Sequence, residues 1–285
     1  MTGGLLIDKP AGWTSHDVVA AVRRTLGTRA VGHAGTLDPF ATGLLVVLVG
    51  KATRLARYVE ALAKVYRATV CFGTATDTED STGTVIARRT PETWPTEGAI
   101  QSALATLVGS RPQRPPAFSA KHVAGTRSHE LARTGKAVEL AEVQVHVHQI
   151  TVDRWSPPEL DICATVGRGT YLRSLARELG EVSGIPAHCA VLRRLAIGPF
   201  SVNDAMLPGE VDRSRLMPAA ALLPTLPSEQ VDDGALREIA FGRAIAQQRP
   251  HQGPGALVAD DGRLIAAVDG REGRWHPVVV FEAAT

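Results

Sequence analysis

The sequence predicts a mixed α/β (α+β) protein in two parts, a large domain over residues 1–222 and a small β-rich module over residues 228–285. Three observations predict it. Segments of helical period alternate with segments of period two along the first 220 residues. The proline-rich stretch MPAAALLPTLP (217–227) reads as a linker, and residues 228–285 hold one short helix and several strand-like runs. At 285 residues and 44% apolar, the chain is long enough to bury a sizeable core.

TSHDVVAAVRRTLG offers Thr14 or Ser15 as a cap, aligns Val18, Val19, Val22 and Leu26 on one face and stops at Gly27, so it reads as a helix. VGHAGTLDPFATGLLVVLVGKATR (31–54) runs a polar, glycine-punctuated turn into the apolar block from Leu44 to Val49. TRLARYVEALA is helical, and VYRATVCFG alternates Tyr66, Ala68, Val70 and Phe72 on one face before Gly73, the pattern of a strand. TEGAIQSALATLVG is a capped helix with Ile100, Leu104, Leu107 and Val108 inward and Gly109 as terminator. The stretch 111–140, RPQRPPAFSAKHVAGTRSHELARTGKAVEL, reads as a long basic loop with an extended, proline-stiffened start. VQVHVHQITV and ELDICATV are period-two strands, with His146 and His148 on the exposed side. In GTYLRSLARELGEVSG, Thr170 is the expected cap and Leu172, Leu175, Ala176 and Leu179 the buried face, which sets Tyr171 and Arg173 in the first turn. AVLRRLAIGPFSV closes the large domain. In the tail, SEQVDDGALREIAFG is a helix, ALVADDGRLIAAVDG a hairpin turning on Asp261-Gly262, and PVVVF a last strand.

Several function classes drop out. The longest apolar run, LLVVLV, is far short of the roughly 20 residues of a membrane helix, and MTGGLLIDKP lacks the basic and apolar regions of a leader, so a cytoplasmic protein is expected. Cys71, Cys163 and Cys189 are odd in number and scattered, which argues against both disulfides and a zinc knuckle. GKAT at 50–53 fails as a phosphate-binding loop, because Gly43 and Gly50 are six aliphatic-rich residues apart and Ala52 follows Lys51. DTEDSTG at 77–83 fails as a calcium loop, because its glycine is seventh and Arg88 stands where the closing Glu belongs. Charge is more informative: residues 221–285 carry six Lys and Arg against nine Asp and Glu, leaving 25 against 20 before them. The larger part is therefore +5 and the tail −3, which favours a polyanionic partner for the former.

One acid stands out. Asp38 lies between Leu37 and Pro39, flanked by glycines at 32, 35 and 43 that permit close approach of a ligand. Local sequence alone favours a cap on a helix starting at Pro39. GHAGTLDPFATGLL resembles the bacterial tRNA pseudouridine-55 synthases of the TruB type, in which G-H-x-G-x-L-D-P-x-A-x-G-x-L carries the catalytic aspartate. LLIDKPAGWTSHDVV, KVYRATVCFGTATDTEDSTG, RPPAFSA and GRGTYLRSLARELG with LRRLAIGPF resemble that family in the same order, covering about residues 4–204.

The resemblance implies a pseudouridine synthase catalytic domain with a central mixed, largely antiparallel sheet, followed by a PUA-like RNA-binding module. It implies Asp38 as the catalytic aspartate, Arg173 as its partner, and Tyr66 as the tyrosine that stacks on the flipped base, all catalytic. It further implies substrate-binding roles for His33, Tyr171 and Leu192, with Lys9 and Asp77 structural or RNA-positioning. No metal and no cofactor are implied. The partner it implies is tRNA, through its T-arm and T-loop, met by a stand-alone monomer without a guide RNA or a membrane. The chain departs from the family in the basic loop, where Phe118 replaces a Tyr, His122 follows Lys121, and His129 replaces a second Tyr. From the residues alone, Tyr66 can equally be a core aromatic and His33 a turn residue, and Arg173 reads first as a solvent-facing helix residue. Two other classes are an RNA chaperone without chemistry and a guide-dependent H/ACA-type synthase.

Overall fold

The computed structural model describes residues 1–118, 122–123, 126–127 and 140–281. The chain begins with β1 (Gly3–Lys9), α1 (Ser15–Leu26), β2 (Val31–Ala34) and β3 (Thr42–Val49). A 3₁₀ turn (Gly50–Leu55) leads into α2 (Ala56–Ala61), then β4 (Lys64–Phe72), β5 (Thr74–Thr76), β6 (Val85–Arg88) and α3 (Glu97–Ala105). β7 (Gly109–Gln113), β8 (His122–Val123), β9 (Thr126–Arg127), β10 (Val143–Ser156) and β11 (Glu159–Val166) come next. α4 (Leu172–Ser183), β12 (Ala187–Ile197) and β13 (Phe200–Ser201) complete the larger part. The tail holds β14 (Ser228–Gln230), α5 (Asp233–Ala240), β15 (Ile245–Ala246), β16 (Gly253–Val258), β17 (Leu264–Arg271) and β18 (Arg274–Val280).

Nine strands form one sheet in the order β1-β3-β12-β4-β11-β10-β7, with β2 beside β3 and β13 beside β12. Its pairings are antiparallel except β3 with β12, so the sheet is mixed and largely antiparallel. α1 starts at a capping box, Thr14 and Asp17 each bonding the other's backbone N–H, and covers β1 and β3 with Val18, Val19, Val22 and Leu26. α3 and α4 cover β4, β11 and β12 through Ile100, Leu104, Leu175 and Leu179. The tail forms a five-stranded sheet, β14-β16-β17-β18-β15.

The structure corrects five sequence expectations. The start of SEQVDDGALREIAFG is not helical: Ser228–Gln230 pairs with β16 as β14, and the helix begins at Asp233 behind its Asp232 cap. Val108 is exposed, because α3 ends at Ala105 and the chain turns before the face comes round again. Thr170 does not cap α4. Tyr171 is the cap residue, and its own side chain makes no capping hydrogen bond. The start of the basic stretch is more than an extended loop, since Gly109–Gln113 pairs with β10 as the outermost strand, a place where Pro112 is tolerated. Lastly, 217–227 is no exposed linker: Met217 exchanges backbone hydrogen bonds with Gly4, and Leu222 is fully buried. Leu222 and Leu223 share an apolar cluster with Leu44, Val46 and Leu48 of β3 and with Ala256, Leu264, Ala267 and Val279 of the tail. Lys121 and His129, and the side chain of His122, lie outside the described residues.

Candidate active site

No helix starts at Pro39. The segment between β2 and β3 is irregular and is held from three directions, so the helix-cap reading of Asp38 fails. The Ser15 hydroxyl, buried at the start of α1, accepts from the Leu37 N–H at 2.9 Å and donates to the Leu37 carbonyl at 3.2 Å. Pro39 is fixed through its carbonyl, which accepts from the Gly12 N–H at 2.8 Å and from Lys9 Nζ at 3.3 Å. Lys9 is fully buried and also donates to the carbonyls of Trp13 (2.6 Å) and Pro10 (3.0 Å). Burial lowers its ammonium to about 8, against an upward pull from Asp38. With Leu37 locked into the apolar cluster and Pro39 pinned, the side chain between them has a fixed origin.

The third hold is on the carboxylate itself. Arg173, 3% exposed, lies in the first turn of α4 and faces inward. Its Nη2 donates to Asp38 Oδ1 at 3.0 Å and its Nε stands 2.9 Å from Oδ2 as an ion-pair contact, so the two nitrogens face the two carboxylate oxygens with one hydrogen bond between them. The same guanidinium donates to the carbonyls of Thr78 and Phe118, each at 2.9 Å, and its Nη1 is 3.5 Å from Asp80 Oδ2. Burial pushes the Asp38 carboxyl above its ordinary value; Arg173 pulls it down and the Asp80 charge pushes it further up. About a third of the Asp38 side chain stays open.

Tyr66, on β4, is buried in one cluster with Leu37, Ala41 and Leu192 of β12. Lys64 bonds the carbonyls of Glu60 and Leu62, closing the end of α2 just ahead of Tyr66. Tyr171 is set by the buried Gln113, whose amide accepts from the Tyr171 N–H at 2.8 Å and donates to its carbonyl at 3.2 Å. His33 lies on β2 opposite Val47 of β3, its Nδ1 buried without a hydrogen bond; burial lowers its pKa, with the charge of Arg194 adding. Asp77 stands apart: it accepts from the Thr84 N–H at 2.8 Å and closes its own turn.

Sequence reasoning missed Asp80, Glu79, Gln113 and Arg194. Glu79, at φ 60°, reaches α4, accepting from Ser174 Oγ at 3.0 Å and pairing with Arg177. α4 is thus a crossbar: one side grips the 78–80 turn, and the other grips the 111–118 stem through Arg111–Glu178 at 2.7 Å and Arg177 to the Arg114 carbonyl at 3.0 Å. Glu79 and Asp80 carried a readable signal, as acids inside a motif already singled out, and Arg194 lies within LRRLAIGPF; Gln113 carried none.

Residues 23–172 match the TruB family pseudouridylate synthase N-terminal domain, and 226–282 match tRNA pseudouridine synthase II, C terminal. The tRNA pseudouridine synthase B of Thermobifida fusca (strain YX) is 44% identical over 289 residues, 98% of either chain. The chain belongs to the TruB family. It is accordingly a pseudouridine synthase, an isomerase. The protein of the same name from Arthrobacter sp. (strain FB24) is 39% identical, covering 99% of this chain and 97% of that one. Among solved structures, the Cbf5 of a Cbf5-Nop10-Gar1 complex superposes with TM-score 0.77 at 23% identity, over 99% of this chain and 85% of that chain. The archaeal box H/ACA Nop10-Cbf5 complex gives 0.74 at 21%, over 99% and 86%. These two share the fold.

Proposed function

We propose that this TruB-family chain acts alone on tRNA, without a guide RNA and as a monomer, isomerising uridine-55 (tRNA numbering) of the T-loop to pseudouridine. The observation that carries the reading is the buried Arg173–Asp38 ion pair, open on one side, with Leu37 beside Asp38 packed in one cluster with Tyr66 and Leu192. The name shared by its full-length relatives, tRNA pseudouridine synthase B, supports tRNA as substrate. The cytoplasm, where tRNA is available, is the compartment this reading implies. Residues 1–222 carry the chemistry, and 228–285 form a PUA-like module that adds RNA contact.

Pseudouridylation breaks the bond from uracil N1 to ribose C1′ and rejoins the base through C5. The target uridine is stacked inside a folded loop, so it is extruded first, against a stacking loss of a few kcal/mol. Tyr66 offers its ring as the new stacking face, Leu192 the apolar wall and His33 a polar group near the rim. An ionised Asp38 then serves any of three routes: addition to the uracil ring, attack at C1′, or removal of the 2′ proton to give a glycal. All three need the carboxylate charged beside the sugar, the state Arg173 favours against burial.

Purified protein incubated with bare T-arm RNA is expected to form pseudouridine, read by a pseudouridine-specific chemical probe. Asp38→Asn, nearly isosteric, is expected to lose about 10⁴-fold or more of the rate. Normal conversion by that variant contradicts the role of Asp38, and conversion by the wild type only with an added guide RNA supports the H/ACA-type alternative. Tyr66→Ala is expected to lower turnover far more than RNA affinity.

A further inference from the structure

β12 carries two adjacent arginines with opposite fates. Arg193 stays half-exposed and pairs with both oxygens of Asp8, at 3.0 and 2.7 Å. Arg194 is 1% exposed, and among the described residues no carboxylate lies within ion-pair distance of it. Burying a cation without a counter-ion is expensive, so its hydrogen bonds indicate what the fold obtains from it. Nε donates to the Leu44 carbonyl at 2.7 Å, Nη2 to the Gly35 carbonyl at 3.0 Å, and Nη1 to the Thr36 carbonyl and the Tyr66 hydroxyl, both at 3.4 Å.

Those acceptors have one thing in common. Gly35 and Thr36 lead into Leu37-Asp38, and Leu44 comes after the same segment as β3 begins, so one planar group spans entry and exit of the Asp38 loop. The fourth acceptor is the hydroxyl of Tyr66 on β4. Backbone register reinforces the arrangement: Arg194 stands opposite Gly43 in the parallel pair and opposite Tyr66 in the antiparallel pair, where β3, β12 and β4 meet. Gly43 has φ 103°, and a Cβ there would lie 2.2 Å from the Arg194 carbonyl oxygen, so the close approach requires glycine. Lys9 and Ser15 hold the middle of the loop and Arg173 holds its charge; Arg194 alone of the four also touches Tyr66.

We propose that Arg194 is a positioning residue of the isomerisation, fixing the separation between the Asp38 loop and the Tyr66 hydroxyl. This role rests on the functions proposed for Asp38 and Tyr66. Arg194 acts through them and does not need to touch RNA. The requirement is for a rigid fork, because a lysine ammonium carries the charge but cannot span acceptors on β3, on β4 and in the loop between β2 and β3. The positive charge also helps hold His33, Lys9 and Lys64 below their ordinary values, behind burial as the larger cause.

The test compares Arg194→Lys, Tyr66→Phe and the double variant in the full chain, by single-turnover rate on T-arm RNA, RNA Kd and the pH profile. Arg194→Lys is expected to lower the rate per folded molecule about 100-fold, as for an ångström-scale misplacement of reacting groups, with Kd within about threefold. Its acid limb stays at the wild-type pH because the Arg173–Asp38 pair is intact. Tyr66→Phe, which keeps the ring and removes only the acceptor, is expected to lose about tenfold, and less in the Arg194→Lys background. A wild-type rate per folded Arg194→Lys molecule, an equal fall in rate and affinity, or fully additive losses overturns the proposal. Should Arg194→Lys not fold, an unchanged Tyr66→Phe rate overturns it and the tenfold loss supports it. An active Asp38→Asn would instead overturn the underlying reading, so the two failures are distinguishable.

Discussion

Two acidic turns meet at Arg173, and they treat their aspartates differently. In the turn 77–83, Asp80 is 4% exposed; its Oδ1 accepts from Thr78 Oγ1 (2.8 Å), Thr82 Oγ1 (2.6 Å) and the Thr82 N–H (3.0 Å), while Oδ2 faces the guanidinium. In the 35–41 loop, Asp38 takes the Arg173 guanidinium on one edge and leaves a third of its side chain open. The first carboxylate has its lone pairs engaged and serves as structure. The second has capacity left for a reacting atom. A carboxylate suited to chemistry is thus recognised less by its own burial than by how few of its acceptor sites are already engaged.

The contrast between the two acids can be broken from either side. After Asp38→Asn itself, the largest effect is expected at the shared cation: Arg173→Gln should lower the single-turnover rate about 100-fold, since it removes the group that aims and charges Asp38. Next comes Asp80→Ala, which strips three donors of their acceptor and should cost about 1–3 kcal/mol of stability by denaturant unfolding. Lys9→Met leaves the Pro10, Trp13 and Pro39 carbonyls without their donor; a loss of about 1 kcal/mol is expected, the gain from removing a buried charge offsetting part of it. Asp77→Asn, whose side chain still accepts from the Thr84 N–H, should change rate and stability least, within about 0.5 kcal/mol. Were Asp77→Asn to lower the rate as far as Arg173→Gln does, the distinction between structural and reactive acids would fail.

Much of the fold and the site is legible in the sequence. α1 and β4 announce themselves through unbroken periodicity, and the motifs naming Asp38, Tyr66 and Arg173 are contiguous. What stays hidden depends on long-range contact. Nothing local separates Asp77 from Asp80, three residues apart in one polar turn; which one turns inward is decided by α4, about a hundred residues on. Arg193-Arg194 reads as two surface charges until the junction of three strands buries one. Pro112 argues against a strand unless the strand is known to be outermost. MPAAALLPTLP has the composition of a linker, yet apolar surfaces on both sides of it claim Leu222 and Leu223.

The central claim is that Asp38 reacts as an ionised carboxylate whose charge is set by burial and by its charged neighbours, Arg173 and Asp80 ahead of Lys9. A single-turnover pH profile on T-arm RNA tests it directly. Because the folded Asp38 value is raised above 3.8, activity should fall on acidification at a higher pH than an ordinary aspartate titrates. Arg173 lowers that value and Asp80 raises it, so Arg173→Gln should move the acid limb to higher pH and Asp80→Asn to lower pH. Acid limbs that stay in place, or that move in the same direction in both variants, would contradict the account.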